Sequence, residues 1–142
     1  MRIFGHPLHP FLVHFPVAFW TLGSVCDGCA LAGFTQTWPY GWLLLILGLM
    51  FAIPAMTAGF MDLADLEEDA SRDGNRHMTL MAMAWIVYLC ALLTRFDGKV
   101  PLPDPQIQSI SLSIFGFVLM MAGGWYGGRL VYHHRAGVRR HD

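Results

Sequence analysis

The chain has 142 residues, of which 55% are hydrophobic and only 13% carry a formal charge. Soluble domains carry about 25% charged residues, so this composition predicts a membrane protein rather than a soluble enzyme. The net charge of −1 gives no basic surface, so no nucleic-acid partner is predicted. The length suits one domain, which we predict over residues 1–142.

Four apolar segments are long enough to cross a bilayer, since a spanning helix needs about 20 residues. They are predicted over residues 11–34, 40–61, 78–96 and 107–132. The first ten residues do not resemble a cleaved signal, so insertion through the first span is expected. Backbone groups in lipid must bond within their own segment, which predicts helices. Short linkers make neighbouring helices antiparallel, and the predicted fold is an all-α, integral membrane four-helix up-down bundle.

Basic residues predict the orientation of the bundle in a bacterial inner membrane, because Lys and Arg are enriched in cytoplasmic loops. With both termini cytoplasmic, only Arg95 and Lys99 face the outside. The remaining arginines are then cytoplasmic: Arg2, Arg72, Arg76, Arg129, Arg135, Arg139 and Arg140.

All seven histidines fall at this predicted cytoplasmic end of the four spans. They are His6, His9, His14, His77, His133, His134 and His141. The opening segment Gly5–Pro16 is unusual, because Pro7 and Pro10 directly follow histidines and disfavour helix at them. The first helix therefore begins either at Pro10, with a kink at Pro16 beside His14, or at Pro16, with the histidines on an entry loop.

Helical spacing predicts which histidines converge. His14 shares a face of the first span with small residues, and His134 continues a face of the fourth span that contains Gly116, Gly123 and Gly127. Small residues allow helices to approach closely and leave room for a flat macrocycle. His77 begins a third face, which continues with Met81, Ala84 and Tyr88. We therefore predict that His14, His77 and His134 ligate a metal or haem iron, with His6 and His9 contributing to the site.

Two aspartates lie within or at the end of predicted membrane spans, where ionisable side chains are rare. Asp62 closes the second span at the histidine end, where it either orients a ligating imidazole or caps the following segment. Asp27 lies within the first span, which makes it a candidate proton relay or a structural contact. As a structural group, Asp27 is expected to be protonated or bonded to Thr or Ser on a neighbouring helix.

The sulfur-containing residues give weaker signals. Cys26 and Cys29 form a C-x-x-C pair, but this pair lies inside an apolar span without a second ligand pair, and Cys90 falls at similar depth. Small packing residues are the expected role of all three. Nine methionines permit a copper site, with Met78 and Met81 near His77.

Several motifs together resemble one known family. They are the Gly5–Pro16 opening, Asp27, Gly59-Phe-Met-Asp62, His77 and Gly128-Arg-Leu-Val-Tyr-His-His134. They are similar to the small four-span bacterial membrane proteins catalogued as domain of unknown function 2231. The last family motif reads Leu-Val-Tyr, a basic residue, His and Gly; here His133 replaces the basic residue and Arg135 replaces the glycine. The resemblance implies no established activity, and relatives joined to cytochrome c or Rieske-like modules imply electron transfer.

Three functions compete. The first is a membrane-embedded b-type haem protein that transfers electrons, with quinone or a redox protein as partner. The second is a module that binds or transports zinc or copper through His6, His9, His14, Asp62 and His134. The third is a cofactor-free subunit of a larger membrane complex, and homo-oligomers are plausible given the small-residue faces. No nucleotide-binding or hydrolase motif is present, so enzymatic activity beyond redox chemistry is not predicted.

Overall fold

The structure is a computed structural model that describes residues 2–3, 6–63 and 66–136, with side chains from residue 8 onward within these ranges. Strands β1 (Arg2–Ile3) and β2 (His6–Pro7) pair antiparallel at the start. They lead into a short helix α1 (Leu8–Leu12) and then into the long helix α2 (His14–Leu31). A 3-10 turn (Thr35–Thr37) connects α2 to α3 (Trp38–Leu63). Helix α4 (Glu68–Leu93), the hairpin β3 (Phe96–Asp97) and β4 (Val100–Pro101), and helix α5 (Ile107–Tyr132) complete the fold.

The predicted all-α membrane bundle is confirmed. Four helical segments are long and apolar enough to cross a bilayer: Leu8–Leu31, Thr35–Leu63, Glu68–Leu93 and Ile107–Tyr132. Large apolar side chains cover much of the outside; Trp125 is 71% and Phe60 65% exposed. A soluble bundle would bury such residues, whereas lipid is a favourable solvent for them.

The first span contains a break at Val13, between α1 and α2. Pro16 lies in the first turn of α2 and has no N–H to donate to the Leu12 carbonyl, which accounts for the interruption beside His14. The helix itself begins earlier than either predicted start, at Leu8, with Pro10 in its first turn. His9 consequently lies on helix rather than on an entry loop.

Helix α4 begins at Glu68, although the apolar span was predicted from residue 78. Hydropathy detects only the part of a helix that lies in lipid, so the predicted span leaves out the polar residues 68–76. Glu68 and Asp69 in the first turn complement the helix dipole. Most of the predicted linker between the second and third spans is therefore helix, and α4 begins nine residues before His77.

The four long helices are organised as two hairpins. Helix α2 packs chiefly on α3, and α4 packs chiefly on α5, while the α3–α4 and α2–α5 contacts are less extensive. We call the surface between the two hairpins the seam. At its centre the Trp20 ring stacks on Tyr88 at 4.7 Å, and the Tyr88 hydroxyl lies 3.1 Å from Ser24 Oγ. Ser24 Oγ also lies 3.2 Å from Ser113 Oγ on α5, so polar contacts cross the seam inside the bundle.

The predicted small-residue faces had different outcomes. On α5 the prediction is confirmed, because Gly116 lies against the Tyr88 ring and Gly123 against Met81. On α2 it is wrong: His14, Ala18 and Gly28 are exposed, and the buried face consists of Pro16, Trp20, Gly23, Asp27 and Ala30. Helix α2 is apolar on all sides, so its sequence carries little information about which side packs inward.

Candidate functional site: a histidine pair at the seam

His9 is held on α1 by a contact with α3. Its Nδ1 lies 2.8 Å from the carbonyl oxygen of Ala55. A carbonyl oxygen only accepts hydrogen bonds, so Nδ1 carries the proton and donates it. Gly59 lies one helical turn beyond Ala55, and a Cβ there would be 2.8 Å from the ring Cε1 of His9. The glycine thus allows the imidazole to lie directly on the α3 backbone.

His77 repeats this arrangement on the other hairpin. Its Nδ1 donates to the carbonyl oxygen of Gly123 on α5 over 2.8 Å. Gly127 follows one turn later, and a Cβ there would be 3.0 Å from Nδ1 of His77. In both cases a histidine donates to the carbonyl of residue i and packs on a glycine at i+4 of the supporting helix.

The two imidazoles meet across the seam. Their ring centroids are 6.1 Å apart and their planes are nearly perpendicular, at 81°. Both residues are half-buried. Because each Nδ1 is committed to a backbone carbonyl, the remaining nitrogen of each neutral ring, Nε2, is a free electron-pair donor. Metal-ligating histidines are commonly oriented in this way, with the second nitrogen bonded to a carbonyl or carboxylate.

Of the other predicted ligands, the structure describes the side chains of His14 and His134, and both lie elsewhere. His14 is exposed, and its Nδ1 is 3.3 Å from the Phe11 carbonyl oxygen on the adjoining helix. His133 and His134 contact each other with centroids 4.7 Å apart. The side chain of His6 and all of His141 lie outside the described part of the chain. The structure therefore brings His77 next to His9, which the sequence analysis predicted only as a contributor to the site.

His134 belongs to a cluster of charged side chains around Asp73. His134 Nε2 and Arg129 Nε each lie 3.1 Å from Asp73 Oδ2, and Arg76 Nη1 lies 3.5 Å from Asp73 Oδ1. The Asp73 side chain is only 5% exposed, so it is buried among its cationic partners. We call Arg76, Arg129 and His134 the cationic rim. Sequence reasoning missed Asp73, although its i, i+4 spacing from His77 places both on one face of α4.

The turn that positions His134 requires an unusual backbone conformation. Helix α5 ends at Tyr132, and the N–H of Ala136 donates back to the Leu130 carbonyl over 2.9 Å. Arg135 adopts φ +52°, in the left-handed region that favours glycine. Arg135 stands where the resemblance led us to expect a glycine, and the turn forms with the arginine in place.

Asp27 lies at the opposite end of the seam, in an ion pair that was not predicted. Its Oδ2 accepts a hydrogen bond from Arg95 Nη2 over 2.6 Å, and both side chains are completely buried. Arg95 Nε also donates to Ser109 Oγ over 2.7 Å, and the guanidinium lies over the Trp38 ring at 4.4 Å. The partner is therefore arginine, where we expected Thr or Ser. Arg95 is turned into the bundle, where we expected a loop cation that faces the outside.

The remaining predicted residues have less informative positions. Asp62 is half-buried in the last turn of α3. Cys26, Cys29 and Cys90 are free thiols, and Cys90 is exposed. Within residues 8–63 and 66–136, no group of three or more His, Cys, Asp or Glu side chains is arranged to hold a metal ion.

A family model agrees with this architecture. The model described as "Predicted membrane protein (DUF2231)" matches residues 5–140. The chain belongs to this family. Comparison with curated proteins and with solved structures gave no match. Family membership thus supports a membrane protein, and the function must be argued from the site itself.

Proposed function

We propose that this chain is a membrane-embedded electron-transfer protein that binds one b-type haem between His9 and His77. The observation that carries the proposal is the pair itself. Two imidazoles from different hairpins have Nδ1 bonded to a backbone carbonyl, and their ring centroids lie 6.1 Å apart. Relative to the ligands predicted from sequence, His77 is retained and His9 replaces His14 and His134.

The centroid separation would allow both imidazoles to hold a single iron. A metal–imidazole bond is about 2.0–2.1 Å long and a ring nitrogen lies about 1.1 Å from the ring centre, so two imidazoles that share one metal ion have centroids at most about 6.3 Å apart. The observed separation is 6.1 Å. Haem iron accepts two axial histidines, whereas structural zinc needs four ligands.

Helix α5 also offers space for a flat ligand. A Cβ at Gly124 or at Gly128 would meet no atom within 4 Å, so these positions form an open strip beside Gly123 and Gly127. Open glycines permit close approach by a macrocycle, as they would by another helix. The strip adjoins Gly123, whose carbonyl accepts the His77 hydrogen bond, and Gly127, against which the His77 ring packs.

A bound haem would supply reversible one-electron chemistry. The chain's own residues would hold and tune it. The Ala55 and Gly123 carbonyls accept the Nδ1 protons, which makes each Nε2 a stronger donor. The two hairpins set the separation of the imidazoles. Electron partners would be membrane quinone or a redox protein at the histidine end.

A zinc or copper site is the alternative interpretation of the same two histidines, because neutral imidazole also binds these ions. Such a site needs further ligands beyond His9 and His77. His6 is three residues before His9, on β2, and would be the nearest additional histidine in sequence. Metal analysis of the purified protein separates the two readings.

The experiment is to purify the full chain in mild detergent and record absorption spectra, oxidised and reduced. We expect a Soret band and a sharp reduced band near about 560 nm, the general signature of b-type haem. His9→Ala and His77→Ala should each abolish the pigment. His14→Ala is the matched control, because His14 is exposed and should leave the spectrum unchanged.

A second variant distinguishes lost ligation from lost folding. His77→Met keeps a potential axial ligand, and the pigment should persist with a raised midpoint potential. A colourless wild type would contradict the proposal. Stoichiometric zinc or copper would then support the metal module, and co-purifying proteins without a metal would support a structural subunit. Loss of pigment in His14→Ala and His77→Ala, with His9→Ala still coloured, would favour the ligand set predicted from the sequence.

A further inference from the structure

We infer that the cationic rim is a recognition site for the carboxylate groups of the ligand that His9 and His77 hold. The inference rests on the proposed function and adds the chemical class of the ligand: an anionic macrocycle whose acid groups point toward the rim. Neither the family description nor the histidine pair requires this, because axial ligation involves the iron alone.

The rim lies on the two helices that hold His77. Asp73, around which the rim is built, precedes His77 by four residues on α4, one helical turn or about 6 Å along the axis. Arg129 follows Gly127, the glycine against which His77 packs, by two residues on α5. Helices α4 and α5 thus carry both the proposed iron ligand His77 and the rim.

The rim carries more positive charge than its protein partner neutralises. One carboxylate, Asp73, is contacted by two guanidinium groups and an imidazole. The arginines are not used up by this contact: the Arg129 side chain is 44% and the Arg76 side chain 50% exposed. An arginine has five N–H donors, so each retains donors for a second anion.

The rim is also held in place rather than left mobile. Asp73 fixes the Arg129 and His134 side chains, and the Arg76 guanidinium lies 5.4 Å from the centre of the Tyr126 ring. A guanidinium fixed in this way loses little conformational freedom when it binds a carboxylate. Haem b has two carboxylate side chains at one edge, which makes it a ligand of the required shape and charge.

A phospholipid headgroup offers the same anionic oxygens and is the other source of this chemistry. Arginines near the ends of membrane spans commonly contact anionic lipid. The two sources predict different results when only the ligand's acid groups are removed, because lipid binding is indifferent to that change.

The experiment measures the affinity of the ligand-free full chain for haem b and for haem b dimethyl ester, in nanodiscs of zwitterionic lipid. We expect wild type to bind the diacid about tenfold or more tightly than the diester, since charge-assisted bonds to arginine are lost in the ester. Arg129→Gln should remove this preference while retaining the low-spin, two-histidine spectrum. Arg72→Gln is the matched control, because Arg72 is an exposed arginine on α4 beside Asp73 in the sequence and lies outside the rim.

Equal affinity of wild type for the two forms would overturn the inference and leave the haem proposal intact. A preference that survives in Arg129→Gln would overturn it as well. If the preference is absent and Arg129→Gln instead lowers the amount of anionic lipid that co-purifies with the chain in detergent, the rim binds lipid. If neither form of haem binds, the proposed function fails together with this inference.

Discussion

The two ends of the seam join the same pair of hairpins by opposite means. At one end Asp27 and Arg95 are completely buried and bonded at 2.6 Å, and the guanidinium also contacts Ser109 and Trp38. At the other end His9 and His77 are half-buried, 6.1 Å apart between centroids, and bonded only to their own hairpins. At the first end the two side chains bind each other. At the second end the two imidazoles each bind a backbone carbonyl and are not bonded to each other.

This contrast separates stability from function. Breaking a buried ion pair leaves an uncompensated charge in a low-dielectric interior, which is costly. Removing one imidazole of the pair breaks a single hydrogen bond to a carbonyl, which costs far less. The ion-pair end should therefore hold the bundle together, while the histidine end should be dispensable for folding and essential for binding.

The largest effect should come from the ion pair. Arg95→Met leaves Asp27 buried without its partner, and we expect a loss of about 3–5 kcal/mol in the free energy of unfolding. The double variant Asp27→Leu with Arg95→Met should recover much of this loss, because both charges are removed. Denaturation of the purified protein in detergent measures both. A single variant as stable as wild type would show that this end does not secure the seam.

A smaller effect is expected at Gly41, on which the ion pair rests. A Cβ there would lie 2.5 Å from Asp27 Oδ1 and 3.0 Å from Arg95 Nη1, so Gly41→Ala must displace the pair. We expect a loss of about 2–3 kcal/mol by the same measurement. Gly28→Ala is the control: a Cβ at Gly28 meets nothing within 4 Å, and the change should stabilise α2 by up to about 1 kcal/mol.

At the histidine end, Gly59→Ala should alter binding more than stability. The new methyl group would displace the His9 ring, which would move its Nε2 relative to His77. We expect haem affinity to fall about tenfold, with a loss in unfolding free energy of about 1 kcal/mol. Gly28→Ala, at a position with open space near the opposite end of the seam, tests for general effects on the helices. Equal haem affinity in Gly59→Ala and wild type would argue against His9 as a ligand.

The smallest effect should be a gain at Arg135. A non-glycine residue at φ +52° costs about 1 kcal/mol, so Arg135→Gly should raise the free energy of unfolding by up to that amount. The histidine pair is separate from this turn, and its ligand spectrum should not change. A loss of stability would show that the Arg135 side chain makes a compensating contact.

The fold was predictable from the sequence to a large extent, and the site only in part. The four spans, the α5 glycine face and the face of α4 that begins at His77 all follow from length and helical periodicity. The convergence of remote histidines at one end also followed from the number of spans. His14 does not meet His77 in the structure, because the small residues beside it on α2 face outward, whereas Trp20 and Asp27 mark the buried side.

The sequence alone thus predicted four membrane-spanning helices with histidines at one end of the bundle. Hydropathy and chain length are sufficient for that, because lipid accepts only helices with all backbone groups bonded internally. Only the tertiary structure decided that His9 faces His77 and that Asp27 binds Arg95. Such contacts depend on how each helix is rotated and which helices are neighbours. In lipid the outer faces are as apolar as the core, so the sequence pattern does not record that rotation.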